Sequence, residues 1–186
     1  LADALSEIGS ARNDPQLLWV AETLAGLGAI NIFDFGCGLG RLLATVGPLL
    51  SPQHSYFGVD SDPRMLQMAK LVARDLGVLD RCEFICADDF LAREYSSIAS
   101  ACIVANDVFH HLAHRELSAF LLKFLLSFPR GAALLVAEPA LFKRIEPRRV
   151  LLSNAELTQL SKALAIDCCT FQASSPKGLP LTRALL

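Results

Sequence analysis

Five short apolar runs, separated by segments with helical periodicity, constrain the fold of this chain more than any other feature of its sequence. The runs are NIFDF (31–35), SYFGVD (55–60), CEFICAD (82–88), ACIVAN (101–106) and ALLVAEP (133–139). Strands this continuous in apolar residues are typical of a parallel sheet that is covered on both faces. We therefore predict a doubly wound α/β fold, with helices on both faces of a mostly parallel sheet.

Two further strand-like runs close the sequence, AIDCCTFQ (165–172) and LTRALL (181–186). The turn-rich segment ASSPKGLP (173–180) between them is too short for a crossover, so the two strands must pair antiparallel. The predicted sheet thus has seven strands and ends in a C-terminal antiparallel hairpin.

Capping residues predict where the helices begin. The signals are two Asp-Pro pairs and a capping box in which Ser precedes Glu by three positions. They are Asp14-Pro15, Asp62-Pro63 and the box from Ser153 to Glu156. The box predicts a helix over residues 153–163. The apolar segment 112–128 is also predicted to be a helix, with Phe120, Phe124 and Phe128 in the core.

Composition and charge narrow the class of protein further. With 53% hydrophobic and 19% charged residues, the chain is expected to form one globular domain with a substantial core. A formal net charge of -2 offers no general attraction to nucleic acids or anionic membranes. No run approaches the ~20 apolar residues of a membrane helix, and no signal-peptide pattern opens the chain. The six cysteines lack zinc-finger spacing, so we expect reduced core thiols and a cytoplasmic protein.

The first predicted strand runs into a glycine-rich loop, Gly36-Cys37-Gly38-Leu39-Gly40. In an open α/β sheet, ligands bind beyond the carboxyl ends of the strands, near the point where the strand order reverses. A dinucleotide fold needs the pattern G-x-G-x-x-G to place a pyrophosphate at a helix N-terminus. Here the third position of that pattern is Arg41 and the spacing is G-x-G-x-G, which argues against a nicotinamide-dependent dehydrogenase.

With the acidic residue before it, this loop resembles the first motif of the class I S-adenosylmethionine-dependent methyltransferases. The matching residues are Asp34, Gly36, Gly38 and Gly40. The resemblance extends over roughly residues 30 to 140 and implies a Rossmann-like fold. It also implies that the loop, Cys37 included, wraps the methionine and ribose parts of S-adenosyl-L-methionine, the cofactor of the family.

Further positions match the order of the family's motifs. The second strand ends in Asp60, followed by Ser61, and the resemblance implies that the Asp60 carboxylate accepts hydrogen bonds from two ribose hydroxyls. Asp88, after the third strand, is implied to lie near the adenine amino group, with Asp89 as the alternative contact or a helix cap. Asn106, at the end of the fourth strand, is implied to face the methionine end.

Residues after the fourth strand and near the end of the fifth are candidates to border the methyl acceptor: Asp107, His110 and Glu138. Of these, Asp107 and His110 are the candidate catalytic residues. At most one of the adjacent His110 and His111 can face a given pocket, and structural packing or capping is their alternative role. His110 and His114 have the spacing of a metal-binding pair, but no third and fourth ligand is evident, so we expect no metal site.

The basic segment KRIEPRR (143–149) has two interpretations. It is either a solvated loop or, since it follows the fifth strand near the ligand edge of the sheet, a binding site for an anionic substrate.

The resemblance implies a methyltransferase that acts by in-line displacement on an acceptor that is RNA, protein or a small molecule. The alternative is a catalytically silent domain that binds S-adenosylmethionine or serves as a scaffold within a larger protein. We expect a single domain with an N-terminal helical cap (1–28), a cofactor-binding core (29–139) and a substrate-side segment (140–186). Because the chain begins with Leu1 rather than methionine, we also expect a flanking domain or partner subunit.

Overall fold

The computed structural model of the protein describes residues 2–112, 114–129, 132–139, 169–174 and 180–185. Its strands are β1 (Asn31–Phe35), β2 (Ser55–Asp60), β3 (Cys82–Cys86), β4 (Ala101–Asn106), β5 (Ala133–Pro139), β6 (Cys169–Ser174) and β7 (Pro180–Leu185). The helices are α1 (Ala2–Ala11), α2 (Pro15–Gly26), α3 (Arg41–Val46), α4 (Pro63–Asp75), α5 (Ala87–Ala92) and α6 (His114–Ser127). Short 3-10 turns span Gly47–Leu49, Leu79–Arg81 and Phe109–His111.

The strands lie in the order β3-β2-β1-β4-β5-β7-β6. Strands β1 to β5 pair in parallel, and their register places Asp34 of β1 between Gly58 of β2 and Val104 of β4. Strand β7 pairs antiparallel with both β5 and β6. The predicted α/β fold, with a parallel sheet flanked by helices, is confirmed.

Alternate residues of each central strand point to opposite faces of the sheet, and each face has its own core. On one face, Ile32, Tyr56 and Val104 pack with apolar residues of α2, α3 and α4. On the other, Phe33 and Ile103 pack with apolar residues of α5 and α6. Both faces of the parallel strands are therefore covered, which explains why their sequences are apolar almost throughout.

Aromatic residues fill the core beneath α5 and α6. The ring of Phe33 stacks on Phe57 with centroids 4.3 Å apart, and meets Tyr95 and Phe128 edge-on at 5.1 and 5.0 Å. Such pairs contribute about 0.5–1.5 kcal/mol each beyond the area they bury. Phe120 and Phe128 are buried as predicted, whereas the side chain of Phe124 lies outside the described part of the chain.

Most helix starts agree with the capping signals. The Asp14 carboxylate accepts a hydrogen bond from the Gln16 backbone N–H at 2.8 Å, which caps α2. The Asp62 carboxylate accepts one from the Arg64 N–H at 2.9 Å, which caps α4. Each cap satisfies one of the backbone donors that a helix N-terminus leaves without an internal partner.

Several elements differ from the prediction. Strand β3 ends at Cys86 rather than at Asp88, because Ala87 already begins α5. Helix α6 begins at His114 rather than at residue 112, since Leu112 is extended after a 3-10 turn. Helix α1 lies within the segment 1–28 that was expected to form an N-terminal helical cap, but no capping signal predicted its bounds. The helix expected over 153–163 and the basic segment 143–149 lie outside the described residues.

The cysteines for which the structure gives a state, Cys37, Cys82, Cys86 and Cys102, are free thiols. Burial raises the pKa of Cys102 to about 12, so this thiol stays neutral and packs as a small apolar side chain. A search of the described helices found none with the length and apolar character that a membrane span requires.

Candidate functional site

A cavity of about 660 Å³ opens at the carboxyl ends of β1, β2 and β4. Its wall includes residues 34–39, 59–61 and 106–108, together with Leu17 from α2 and Ala87 from α5. Strand β1 has β2 on one side and β4 on the other, so the strand order reverses at this point. The cavity thus occupies the position where doubly wound sheets bind their ligands.

Glycines shape the wall that follows β1, and two of them have different reasons to lack a side chain. Gly36 has φ +76°, and a Cβ added there would lie 2.4 Å from Cγ2 of Val108. Gly38 has φ +51°, and an added Cβ would have no protein atom within 4 Å. Gly36 therefore allows the loop to pack against the turn after β4, whereas Gly38 presents bare backbone to the cavity.

Gly40 has a structural role rather than a place in the cavity wall. It is the N-cap residue of α3, does not line the cavity, and would carry its Cβ 3.3 Å from the Ala69 Cα of α4. The next residue, Arg41, does line the cavity, and its Nη2 donates to the Asp14 carboxylate of the α2 cap at 2.8 Å. An arginine thus stands where a dinucleotide loop would need its third glycine, and it ties the loop to α2.

The Asp60 carboxylate is held in a defined orientation at the end of β2. Its Oδ2 accepts a hydrogen bond from the backbone N–H of Gly38 at 2.9 Å, and its Oδ1 accepts one from the N–H of Asp62 at 2.9 Å. Asp60 is half-buried and lines the cavity with Ser61. Since a carboxylate oxygen can accept two hydrogen bonds, each oxygen can still receive a further donor from the cavity.

Asp34 is a second carboxylate on the wall, and it is buried. The side chain is 3% exposed, and Oδ2 accepts a hydrogen bond from the Tyr56 hydroxyl. Burial raises the pKa of Asp34 to about 7; the Tyr56 hydrogen bond acts in the opposite direction and the nearby Asp60 charge adds to the rise. A cationic group bound in the cavity would favour the ionised form of Asp34.

Cys37 contributes an apolar part of the wall. It packs with Leu66, Ala69 and Phe84 and is buried. Burial, together with the Asp34 and Asp60 charges, raises the pKa of its thiol far above the ordinary value. The thiol is therefore protonated and acts as a small hydrophobic group rather than a nucleophile.

The turn after β4 is tied to helix α2 by Gln16. The Gln16 amide Nε2 donates to Oδ1 of Asn106 at 2.8 Å, to Oδ1 of Asp107 at 3.3 Å and to the Ala137 carbonyl at 3.2 Å. Asp107 has φ +56°, and its own N–H donates to the Ala137 carbonyl at 2.9 Å. This backbone conformation is uncommon outside glycine and persists only where the surroundings hold it, often at functional sites.

Gln16 was missed in the sequence analysis, although a signal for it exists. It is 8% exposed and shares a helical face, at four-residue spacing, with the buried Val20 and with Leu24. A polar residue on the buried stripe of an otherwise apolar helix indicates a specific partner. The partner itself is about 90 residues away in the sequence and could not be identified from local pattern.

The structure brings most predicted site residues together. Those that line the cavity are Asp34, Gly36, Cys37, Gly38, Asp60, Ser61, Asn106 and Asp107. Asp88 and Asp89 do not line it: they are exposed in the first turn of α5, and Ala87 forms the wall instead. His111 lines the cavity, while the side chains of His110 and Glu138 lie outside the described part of the chain. Leu17, Met65 and Leu112 are apolar wall residues that the sequence did not predict.

The fold and the site define a class of protein: a doubly wound α/β domain whose glycine loop and strand-end carboxylates enclose one cavity. Residues 33–126 match the family described as "Methyltransferase domain", and the chain belongs to this family. The resemblance to the S-adenosylmethionine-dependent methyltransferases that the motifs indicated is confirmed.

One curated relative is the carboxy-S-adenosyl-L-methionine synthase of Helicobacter hepaticus (strain ATCC 51449 / 3B1). It is 28% identical over 107 residues, which are 58% of this chain and 43% of the relative. The chain therefore spans less than half the length of this relative.

Several solved structures share the fold. The methyltransferase domain of bacterial CtHen1 superposes with a TM-score of 0.69 at 18% identity, covering 94% of this chain and 98% of that one. A putative O-methyltransferase of Nostoc punctiforme PCC 73102 gives 0.71 at 17% identity, with 97% and 60% covered. Magnesium protoporphyrin IX methyltransferase of Synechocystis PCC 6803, with bound SAM, gives 0.67 at 17% identity, with 91% and 77% covered. At these identities the likeness shows the fold.

Proposed function

We propose that this chain binds S-adenosyl-L-methionine in the cavity at the ends of β1, β2 and β4 and catalyses transfer of its methyl group to an acceptor. When bound, this cofactor supplies a methyl group that is activated by a positively charged sulfonium. Membership of the methyltransferase domain family supports the reaction class. The observation that carries the assignment is the pairing of bare backbone at Gly38 with the oriented Asp60 carboxylate beside it.

The residues of the cavity fit the cofactor. The unfilled space at Gly38 lets a ligand approach the main chain closely, and Asp60 can accept hydrogen bonds from two neighbouring ribose hydroxyls. We assign the methionine end of the cofactor to Asp34 and Asn106, a carboxylate and an amide residue that both line the cavity. Adenine is assigned to the side of Ala87, with Asp88 and Asp89 as proposed contacts just beyond the wall.

The acceptor is proposed to approach from the turn after β4, where Asp107 and His110 remain the candidate catalytic residues. The protein mainly has to align a nucleophile and exclude water. Where the acceptor is a hydroxyl, a carboxylate or imidazole can also accept its proton. Asp107 is well suited because Gln16 and its own backbone hydrogen bond hold it at the cavity. The neighbouring His111 also lines the cavity and is a further candidate.

The seven-stranded form of the sheet is also a proposal. We infer that β6 and β7 belong to the folded domain and close the sheet beyond β5. Amide hydrogen exchange is expected to show protection across residues 180–185 comparable to that of β5. Complete exchange there within the time that exposed loops need would contradict this inference.

Calorimetric titration with S-adenosyl-L-methionine and with its demethylated product tests the proposed binding. We expect both to bind the wild type, and Asp60→Ala to weaken the affinity at least about tenfold, because the lost hydrogen bonds involve a charged acceptor. Asp80→Ala is the matched control, since Asp80 is an exposed carboxylate outside the cavity. Failure of both compounds to bind the wild type, or an unchanged affinity in Asp60→Ala, would contradict the assignment.

A labelled-methyl assay then addresses the acceptor. RNA, protein and small-molecule pools are each incubated with the chain and labelled cofactor, and transfer into one pool identifies the class of acceptor. Mass spectrometry of the same mixtures also tests for a carboxylated cofactor, because the Helicobacter hepaticus relative is named as a synthase of that compound. Binding without any product in these mixtures would instead favour a silent domain, an alternative that the family match does not support.

A further inference from the structure

A tyrosine that does not reach the cavity forms a hydrogen bond with one of its carboxylates. Tyr56 lies in β2, is 0% exposed, and its hydroxyl donates to Oδ2 of Asp34 in β1. In the parallel register, the residue opposite Asp34 is Gly58, which lies on the same face as Tyr56. A Cβ added at Gly58 would lie 2.8 Å from Cδ1 of Phe84 and 3.2 Å from Sγ of Cys37, so this position between the two strands is closely packed.

The other polar groups near Asp34 do not take the place of this donor. The Asp60 carboxylate on the same strand as Tyr56 repels the Asp34 charge, and the Cys37 thiol is neutral. Farther along the wall, Arg41 of α3 pairs with Asp14 of α2, Asp107 after β4 bonds to Gln16, and His111 lies in the following turn. The wall residues from α4 and α5 are the uncharged Met65 and Ala87. Among the described residues, Tyr56 is the one hydrogen-bond donor to Asp34.

We propose that Tyr56 is a positioning residue: its hydroxyl orients the Asp34 carboxylate and favours the ionised form that receives the α-ammonium group of the cofactor. The inference rests on the proposed function, since it requires the amino-acid end of the cofactor to lie at Asp34. A carboxyl group buried among apolar residues takes up a proton unless a donor or a positive charge stabilises its ionised form. Tyr56 supplies that donor before any ligand arrives.

The direction of the pH effect follows from the state of Asp34. The carboxyl group has a pKa of about 7, so lowering the pH through neutrality removes the charge that would hold an ammonium group. Without the Tyr56 hydroxyl, the ionised form loses a stabilising contact and the titration midpoint moves to higher pH. A ligand that carries an α-ammonium group should therefore bind more weakly at neutral pH, whereas a ligand that lacks one should not respond.

Two ligands separate this role from a general structural one. S-adenosylhomocysteine carries the amino-acid end, and 5′-methylthioadenosine shares the adenosine thioether but lacks the amino acid. Calorimetric titrations of both from about pH 5.5 to about pH 7.5 keep an α-amino group mostly protonated. The proteins compared are the wild type, Tyr56→Phe, Asp34→Asn, the double variant of these two, and Tyr95→Phe. Tyr95 is a matched control, because it is a buried tyrosine that packs on the other face of the sheet and whose hydroxyl has no hydrogen-bond partner among the described residues.

Tyr56→Phe is expected to weaken S-adenosylhomocysteine binding at pH 7 by about tenfold, the size of a lost hydrogen bond to a charged group. Binding of 5′-methylthioadenosine should stay within about twofold. The midpoint of the pH dependence for S-adenosylhomocysteine should move upward. In the Asp34→Asn background, Tyr56→Phe should have no further effect, and Tyr95→Phe should match the wild type. If His111 contributes to the pH dependence of binding, that contribution remains in Asp34→Asn. It can therefore be distinguished from the contribution of Asp34.

Equal losses for both ligands in Tyr56→Phe would overturn the proposal in favour of a purely structural role. An unmoved midpoint would also overturn it. If Tyr56→Phe does not fold, the titrations of the wild type still test the proposal. A ratio of the affinities for the two ligands that does not change with pH would contradict it. Failure of the wild type to bind any of these nucleosides would instead overturn the proposed function and this inference with it.

Discussion

Asp34 places an ionisable group inside an apolar strand, and this has a consequence for stability. Its pKa is about 7 in the folded chain, whereas an unfolded chain has the ordinary value of 3.8. Between these values the folded state binds a proton that the unfolded state has released, so stability falls as the pH rises. The slope approaches about 1.4 kcal/mol per pH unit for one such group.

We therefore expect the wild type to lose stability from about pH 4.5 to about pH 7 relative to Asp34→Asn, which cannot ionise. Urea denaturation across this range gives the difference in the free energy of unfolding between the two proteins. Asp75→Asn, at the exposed end of α4, is the control and should parallel the wild type. A difference that stays constant with pH would show that Asp34 is ionised throughout, contrary to the effect of its burial.

Gly28, Gly36 and Gly38 all have positive φ, and replacing each by alanine tests a different effect: backbone strain, packing and ligand contact, respectively. Gly36→Ala should destabilise most, by at least about 2 kcal/mol, because it adds a clash with Val108 to the strain at φ +76°. Gly38→Ala adds only strain to the folded chain, but its methyl group enters the space assigned to the cofactor. Gly28→Ala is the control for strain alone, since it has φ +61°, open space and no place in the cavity.

Denaturation and calorimetry measured on the same proteins distinguish these roles. Gly38→Ala and Gly28→Ala should lose similar stability, yet only Gly38→Ala should weaken cofactor binding. If Gly38→Ala binds as tightly as Gly28→Ala, the ligand does not contact the backbone where we place it.

At the scale of elements, helix α2 belongs to the site as well as to the core. Gln16 donates to acceptors on β5 and at the end of β4, and Asp14 pairs with Arg41 at the start of α3. Gln16→Leu would keep the volume similar while removing the amide donor from the half-buried Asn106 side chain. It would also remove this donor from the buried Ala137 carbonyl, which keeps the Asp107 N–H. We expect a loss of about 1–3 kcal/mol in the free energy of unfolding.

The same substitution at Gln67, which is exposed on α4, is the matched control and should change stability by less than about 0.5 kcal/mol. Both variants can be compared by chemical denaturation and by their affinity for the cofactor. Equal stability of the two would mean that the Gln16 hydrogen bonds are replaced by water at no cost.

Sequence reasoning correctly placed the elements for which two local signals agree, namely an apolar run and the turn residues that end it. Strands β1, β2 and β4 were predicted with their observed bounds because apolar runs end at clear turn residues. Strand β3 was extended too far because Ala87 continues the apolar run, whereas Asp88 and Asp89 favour the first turn of a helix. That single boundary moved Asp88 from a strand end, where it would face the cavity, to an exposed helical position.

At the scale of the whole molecule, the site depends on parallel topology more than on any one element. Carboxyl ends of parallel strands meet at one edge, so Asp34, Asp60 and Asn106 could be predicted to lie together from strand order alone. The contacts of Gln16 and Tyr56 could not, because they depend on side-chain packing between segments distant in sequence. The local sequence pattern identifies the edge of the sheet at which the site lies. Tertiary packing determines which further residues hold the site residues in place.

The central claim is that the adenosyl sulfonium lies against the backbone at Gly38 with its ribose on Asp60. A crystal structure of the chain with S-adenosylhomocysteine tests this most directly. We expect both ribose hydroxyls within hydrogen-bond distance of the two Asp60 oxygens, and the thioether chain along residues 36–38. A nucleoside bound at another edge of the sheet, or a ribose that does not reach Asp60, would contradict it.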